Sequence, residues 1–191
     1  MTLAAGSIIA GGCAQTAKSD LLVAFEANLA AHTSATEALQ QWCAARGIAA
    51  DPLIVAQFIR GRDELPPEGL HALLAVAPGE TLGYRHVRLS CNGTVLSEAH
   101  NWYVAARLSP EMNRQLAETE IPFGKVAAPL RFRRESLAGT ATQGVACPDG
   151  IVSLHRALLR LPDGAPLALV VECYTAANLE VRGQTSAPSR R

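Results

Sequence analysis

The chain has 191 residues, of which 49% are hydrophobic and 18% are charged. This composition is typical of a globular protein with one sizeable core, and it excludes a collagen-like repeat, a disulfide-stapled miniprotein or a wholly disordered chain. Seventeen basic residues balance 17 acidic ones. Nucleic-acid-binding proteins normally carry a basic surplus for the phosphates, so we expect no nucleic-acid partner. No apolar run reaches the roughly 18 residues of a membrane-spanning helix, so no transmembrane span is predicted.

The amino terminus supports two interpretations. Residues 3–12 are apolar and end in small residues just before Cys13, as at a bacterial lipoprotein cleavage site, which would anchor the protein to a membrane through Cys13. The basic residue that usually precedes such a stretch is missing, because the first lysine is Lys18. The alternative is that residues 1–18 are the flexible start of a cytoplasmic protein. Both interpretations stay open at this stage.

The five cysteines are widely scattered, and neither they nor the five histidines show a metal-ligand spacing such as CxxC or HExxH. We therefore expect no metal and no cofactor. An odd number of cysteines favours free thiols in a reducing compartment, although lipidation of Cys13 would leave an even set of four. These residues are Cys13, Cys43, Cys91, Cys147 and Cys173.

Helix signals come first along the chain. A first helix is predicted from a cap at Ser19 or Asp20 to Leu29, because its apolar residues recur at helical spacing. A second helix follows a cap in the pair Thr33-Ser34, with Glu37 reaching back in a capping box. Later, Ser109 followed by proline predicts another capped helix start.

Strand signals follow. Asn92-Gly93 and Pro162-Asp163-Gly164 are hairpin turns between alternating or apolar runs. Helices followed by hairpin-linked strands predict an α+β fold, with a mostly antiparallel sheet of about six strands on which helices pack. We expect one domain over residues 19–182 and a disordered tail over 183–191. The predicted strands are residues 53–59, 84–89, 94–104, 130–136, 151–161 and 167–175.

Two charged residues interrupt apolar strand faces. Arg85 lies on the same strand face as Val87 and Leu89, because alternate residues of a strand share a face. Glu172 lies in an otherwise apolar strand. Burying either charge alone costs several kcal/mol, so each needs a partner. Either they form a structural ion pair, or the strand register leaves one of them at a solvated strand end, or both line an enclosed pocket. In such a pocket Arg85 would grip a ligand carboxylate and Glu172 would bind a hydroxyl or move a proton.

Two further features lie near these strands in the sequence. The loop over residues 121–125 contains Gly124, which permits close backbone approach, and amides in such a turn can bind an anion. The same loop is equally well explained as a connector. His100 lies on the strand after the Asn92-Gly93 turn and either faces the predicted pocket or is a structural histidine.

Three segments of the chain resemble the chorismate lyases (chorismate pyruvate-lyases). They are Tyr84-Arg85-His86-Val87-Arg88-Leu89 with its Asn-Gly turn, Ile121-Pro122-Phe123-Gly124-Lys125, and Val171-Glu172-Cys173-Tyr174. The resemblance runs over residues 21–175. It implies a six-stranded antiparallel sheet with packed helices, an enclosed ligand cavity, and cofactor-free elimination of pyruvate from chorismate to give 4-hydroxybenzoate, on the way to ubiquinone-type quinones.

The resemblance also assigns residues. It implies that Arg85 and Glu172 are the catalytic pair, that the Phe123 amide beside Gly124 holds the ligand carboxylate, and that Ala35 is another ligand contact. The family often has methionine at the Ala35 position, and here His100 replaces a second basic cavity residue. These departures leave the substrate open. The competing hypothesis is a non-catalytic domain of the same fold that binds a small aromatic acid, and in either case we expect a monomer.

Overall fold

The computed structural model describes residues 11–61, 64–137, 145 and 147–180. Two predicted segments, the apolar stretch of the lipoprotein interpretation before Gly11 and the tail over residues 183–191, lie outside the described residues. Among the helices that are described, none combines the length and the apolar character needed to cross a membrane.

Six strands form one antiparallel sheet in the described part of the chain, so the α+β prediction is confirmed. The spatial order is β1-β2-β3-β6-β5-β4, and each neighbouring pair is antiparallel. Asn92 and Gly93 both have positive φ in the β2–β3 turn, as a tight hairpin requires. The strands are β1 (Ile54–Phe58), β2 (Leu82–Cys91), β3 (Thr94–Val104), β4 (Arg133–Ser136), β5 (Ile151–Arg160) and β6 (Pro166–Thr175).

The helices differ from the prediction at two places. The first helix already includes Gly11, the first described residue, well before the predicted caps Ser19 and Asp20, because no proline or glycine interrupts residues 13–30. The predicted loop over residues 121–125 contains a helix start at Phe123. The α-helices are α1 (Gly11–Ala30), α2 (Ala35–Ala45), α3 (Leu70–Leu73), α4 (Pro110–Glu118) and α5 (Phe123–Ala127).

Both faces of the sheet are covered. We call the side that carries Arg85 and Glu172 the helix face, because α1, α2, α4 and α5 contribute to the apolar clusters on it. The other side, the rear face, packs Trp102 and Val171 against residues of α3. The central strands β3 and β6 are therefore buried on both sides, as the apolar sequence of the last strand predicts.

The expectation of free thiols is wrong for four of the five cysteines. Cys43 of α2 is bonded to Cys91 at the end of β2, and Cys147 is bonded to Cys173 of β6. The pairs are 48 and 26 residues apart in sequence, so no short spacing signals them. The first disulfide fixes α2 to the sheet.

Candidate small-molecule cavity

A small cavity lies between the helix face and the first residues of α2 and α5. It encloses about 30 Å³. Its floor is apolar and is formed by side chains of β2, β3, β5 and β6, so this part can accept the face of a hydrophobic ring. The floor residues are Val87, Leu89, Ala99, Leu159 and Val170.

Glu172 forms one polar wall of the cavity together with Arg134 of β4. The guanidinium donates to both carboxylate oxygens: Nη2 is 2.5 Å from Oε2 and Nη1 is 3.2 Å from Oε1. The Tyr174 hydroxyl donates to Oε2 at 3.0 Å. The partner that the buried Glu172 needs is therefore Arg134, and the open alternative of an Arg85–Glu172 ion pair is wrong.

Burial and the Arg134–Glu172 ion pair together shift the pKa values of Arg134 and Tyr174. Burial disfavours the charged guanidinium, but attraction and hydrogen bonding from Glu172 outweigh it, so the pKa of Arg134 is raised above its ordinary value. Burial, and next the adjacent Glu172 charge, raise the pKa of Tyr174 well above its ordinary value. Arg134 therefore stays charged and Tyr174 stays a hydrogen-bond donor at neutral pH.

Asn101 is a second polar group of the cavity. In the sheet, Asn101 of β3 pairs with Arg85 of β2 and with Val170 of β6. The residue is 6% exposed. The Asn101 side chain lines the cavity and makes no hydrogen bond within the part of the chain that the structure describes. Because this amide faces the cavity, its donor and its acceptor are both available to a ligand.

The rim of the cavity is made by two helix starts. Residues 33–36 at α2 and Phe123 and Gly124 at α5 line it. The first amides of a helix have no acceptor inside the helix, and no side chain caps either of these helices. The predicted capping box at Thr33-Ser34 is therefore not formed, whereas Ser109 does accept a hydrogen bond from the Met112 amide at 3.1 Å.

Gly124 explains where the Ser34 side chain goes instead. A Cβ at position 124 would lie 2.3 Å from the Ser34 Oγ and 3.1 Å from the Thr36 Oγ1. The two helix starts thus touch through the bare glycine backbone. Gly124 does permit a close approach, but the approaching group is part of the protein, and the predicted ligand contact at Gly124 stays a prediction.

Arg85 is buried, but its guanidinium does not line the cavity. Nη1 donates to the Ile121 carbonyl and Nη2 to the Thr119 carbonyl, each at 3.0 Å, and the group lies 4.8 Å from the centroid of the Phe58 ring. Burial lowers the pKa of Arg85 to about 10, against an opposing contribution from Tyr103. These contacts hold the segment that leads into α5, so Arg85 positions the rim.

His100 lies on the rear face, away from the cavity. Its neighbours Ala99 and Asn101 line the cavity, and strand alternation turns His100 to the other side. Its Nδ1 is 2.9 Å from the Tyr84 hydroxyl. Burial, and next the adjacent His86, lower the pKa of His100 to about 4. An uncharged ring on the opposite face does not replace a basic cavity residue.

The structure therefore brings together four of the predicted site residues, namely Ala35, Phe123, Gly124 and Glu172. The sequence interpretation missed Arg134 and Asn101. Arg134 lies in a short strand between two other charged residues, Arg133 and Glu135, and nothing in the sequence distinguishes it from them. Asn101 shares the cavity face of β3 with Ala99. A polar amide within this largely buried strand could have indicated a polar site on that face.

The six-stranded antiparallel sheet with its packed helices has a chorismate lyase-like fold, which also occurs as the ligand-binding domain of GntR-type regulators. The structure of PhnF from Mycobacterium smegmatis matches with a TM-score of 0.52 at 16% identity, over 78% of this chain and 66% of that chain. The effector domain of PhnF matches with a TM-score of 0.49 at 17% identity, over 75% of this chain and 88% of that chain. The chain thus spans just under two thirds of full-length PhnF, and the likeness shows the fold.

The chain belongs to the family of the Sinorhizobium fredii protein described as "Uncharacterized protein y4mC". The two are 38% identical over 174 residues, which cover 81% of this chain and 73% of that protein. No protein-family model matches the chain.

Proposed function

We propose that this domain binds a small ring carboxylate that also carries a hydroxyl, in the cavity between the sheet and the starts of α2 and α5. The observation that carries the proposal is that the Asn101 amide lines the same cavity as Glu172 and the apolar floor, with no side-chain hydrogen bond of its own within the described residues. A ligand that forms a hydrogen bond with this amide gains about 0.5–1.5 kcal/mol, which favours the bound form.

The remaining walls fit the two ends of such a ligand. Uncapped amides at the start of α2 favour a negative charge, because the amino end of a helix carries partial positive charge, and the family resemblance assigns the Phe123 amide on the facing side of the rim to a ligand carboxylate. The carboxylate is therefore assigned to the rim, near Phe123. The hydroxyl is assigned to Glu172, whose carboxylate accepts hydrogen bonds, and the apolar floor takes the ring.

Binding requires the rim to open. A cavity of about 150 Å³ holds benzene, whereas this one encloses about 30 Å³. A groove of about 540 Å³ on the outer side shares Ser34, Thr36 and Gly124 with the cavity. The gap between α2 and α5 is therefore the access route, and parting Ser34 from Gly124 joins the groove to the cavity.

A second candidate function is the chorismate pyruvate-lyase reaction. It is favoured by the presence in one cavity of Ala35, Phe123 and Glu172, the residues that the resemblance assigns to ligand contacts. The contacts of Arg85 speak against it, because both terminal nitrogens of the guanidinium are bonded to backbone carbonyls. Glu172 is likewise held by Arg134 and Tyr174, which leaves it poorly placed to transfer a proton.

The binding proposal is tested by titrating the full chain with 4-hydroxybenzoate, followed by calorimetry and by amide NMR shifts. We expect Asn101→Leu to weaken binding about tenfold, the value of one lost hydrogen bond. Arg160→Gln is the matched control, because Arg160 pairs with Glu135 on β4 and β5 outside the cavity. Absence of binding by the wild type, or equal affinities in Asn101→Leu and wild type, would contradict the proposal.

The same preparation separates the two candidates. Purified protein is incubated with chorismate, and pyruvate and 4-hydroxybenzoate are followed. The binding proposal predicts no product above the uncatalysed background. Product that disappears in Glu172→Gln but persists in the Glu135→Gln control would establish the lyase function instead.

A further inference from the structure

The rear face of the sheet carries a second cluster of chemistry-bearing side chains, which the cavity does not use. His86 of β2 lies directly opposite His100 of β3. Glu98 is two residues before His100 on the same strand, so all three side chains share one face. Each is buried: their exposed fractions are 5% for His86, 8% for Glu98 and 1% for His100.

The donor atoms of the cluster lie close together. His86 Nε2 is 2.8 Å from Glu98 Oε1, and the two imidazole rings are stacked with their centroids 4.0 Å apart. One donor atom from each residue lies within 4.8 Å of the others. Glu98 and His100 are two residues apart on β3, and His86 is the cross-strand neighbour of His100. The strand pair therefore brings three donor atoms together on one face of the sheet.

One donor of the cluster is left unused. His100 Nε2 is buried and has no hydrogen-bond partner among the described residues. The other ring nitrogen, Nδ1, is 2.9 Å from the Tyr84 hydroxyl. When Nδ1 carries the proton and donates it to that hydroxyl, Nε2 presents a lone pair, and such an outer hydrogen bond is the usual support of a metal-ligating histidine.

We infer that His86, Glu98 and His100 form a binding site for one divalent transition-metal ion, with zinc as the ion that fits best. Two imidazole nitrogens and one carboxylate are a common donor set for Zn²⁺, and three protein ligands leave a fourth position open. The ion replaces the His86–Glu98 hydrogen bond. It also gives the His100 Nε2 atom a partner, which the hydrogen bonds of the cluster do not provide.

The site is not fully preorganised. The His86 and His100 rings are inclined by only 22°, so their lone pairs run nearly parallel and converge on one ion only after a ring turns about its Cβ–Cγ bond. Arg88 Nε also lies 3.5 Å from Glu98 Oε2 and competes with the ion for that carboxylate. We therefore expect weaker binding than at a rigid zinc site.

The test is calorimetric titration of the full, tag-free chain with Zn²⁺ after chelator treatment, in a Cys13→Ser background that removes the fifth cysteine as a competing ligand. We expect one equivalent of zinc, with affinity at least about tenfold lower in Glu98→Gln and in His100→Gln. His155→Gln is the matched control, because His155 Nε2 also pairs with a carboxylate, Glu26 Oε2, at 2.7 Å, outside the cluster. Unchanged affinity in both cluster variants, or no zinc uptake, overturns the inference.

A spectroscopic measurement on the protein with its cluster intact covers the case in which the buried variants fail to fold. X-ray absorption of the zinc-loaded Cys13→Ser protein should show nitrogen and oxygen donors with scattering from two imidazole rings. Scattering from one ring or none would overturn the inference. Because the cluster and the ligand cavity lie on opposite faces of the sheet, either result leaves the binding proposal standing on its own test.

Discussion

At the scale of single residues, the buried Arg134–Glu172 pair dominates the cavity. The side chains are 12% and 7% exposed, whereas those of the Arg160–Glu135 pair, on the neighbouring strands β5 and β4, are 34% and 51% exposed. Water screens the second pair and barely reaches the first. Removing one partner of a buried pair leaves an uncompensated charge, which costs far more than losing a surface pair.

We predict that Glu172→Gln lowers the free energy of unfolding by about 3–5 kcal/mol, because it leaves the Arg134 guanidinium buried without a counter-charge. The measurement is denaturant unfolding of the variant and the wild type. Glu135→Gln serves as the control and should cost less than about 1 kcal/mol.

The double variant Arg134→Met/Glu172→Gln separates charge from packing in that prediction. It removes the stranded charge, so its stability should exceed that of Glu172→Gln. Losses of the same size in Glu172→Gln and Glu135→Gln, or no recovery in the double variant, would show that the pair contributes little.

The sequence could predict that Arg85 and Glu172 are buried, because strand alternation fixes which face a side chain occupies. It could not predict their partners. Arg134 reaches Glu172 from a strand two positions away in the sheet, and the carbonyls bonded to Arg85 belong to a segment that follows α4. Such contacts depend on tertiary packing and leave no local pattern.

At the scale of elements, the same distinction holds. The Asn92-Gly93 turn and the Ser109 cap were predictable because both depend on neighbouring residues alone. The Ser34 capping box failed because its side chain packs against Gly124 of another helix. A tertiary contact there replaces the local hydrogen bond, and it leaves the start of α2 free to face the cavity.

We predict that Gly124→Ala destabilises the protein by about 1–3 kcal/mol, the usual cost of overpacking. The added Cβ would lie 2.3 Å from the Ser34 Oγ, so α2 and α5 must shift apart or the serine must turn. The change should also weaken 4-hydroxybenzoate binding, since both residues line the rim. Thermal unfolding and ligand titration measure the two effects.

The contact itself supplies the control for this prediction. Ser34→Ala removes the clashing oxygen, after which the nearest remaining atoms to the new Cβ are the Thr36 Oγ1 at 3.1 Å and the Cβ at position 34 at 3.5 Å. The double variant Ser34→Ala/Gly124→Ala should therefore recover most of the lost stability. A double variant as unstable as the sum of the two single changes would place the cost elsewhere.

At the scale of the whole molecule, the two disulfides constrain both sides of the sheet. Cys43–Cys91 ties α2 to β2 on the helix face, and Cys147–Cys173 ties the segment before β5 to β6. Disulfides form and persist in oxidising compartments and are rare in the reducing cytosol. Scattered cysteines with no spacing motif gave no indication of this in the sequence, because pairing depends on which residues the sheet brings together.

We predict that the unreduced protein, unfolded in guanidinium chloride, exposes at most one reactive thiol per chain, whereas prior reduction exposes five. A thiol-specific chromogenic reagent counts them. Each disulfide should contribute roughly 2–4 kcal/mol to stability, since cross-linking restricts the unfolded chain.

The paired variant Cys43→Ala/Cys91→Ala should in addition weaken ligand binding more than Cys147→Ala/Cys173→Ala does. Only the first bond anchors the helix whose start forms the rim of the cavity. Five thiols in the unreduced protein would refute both bonds.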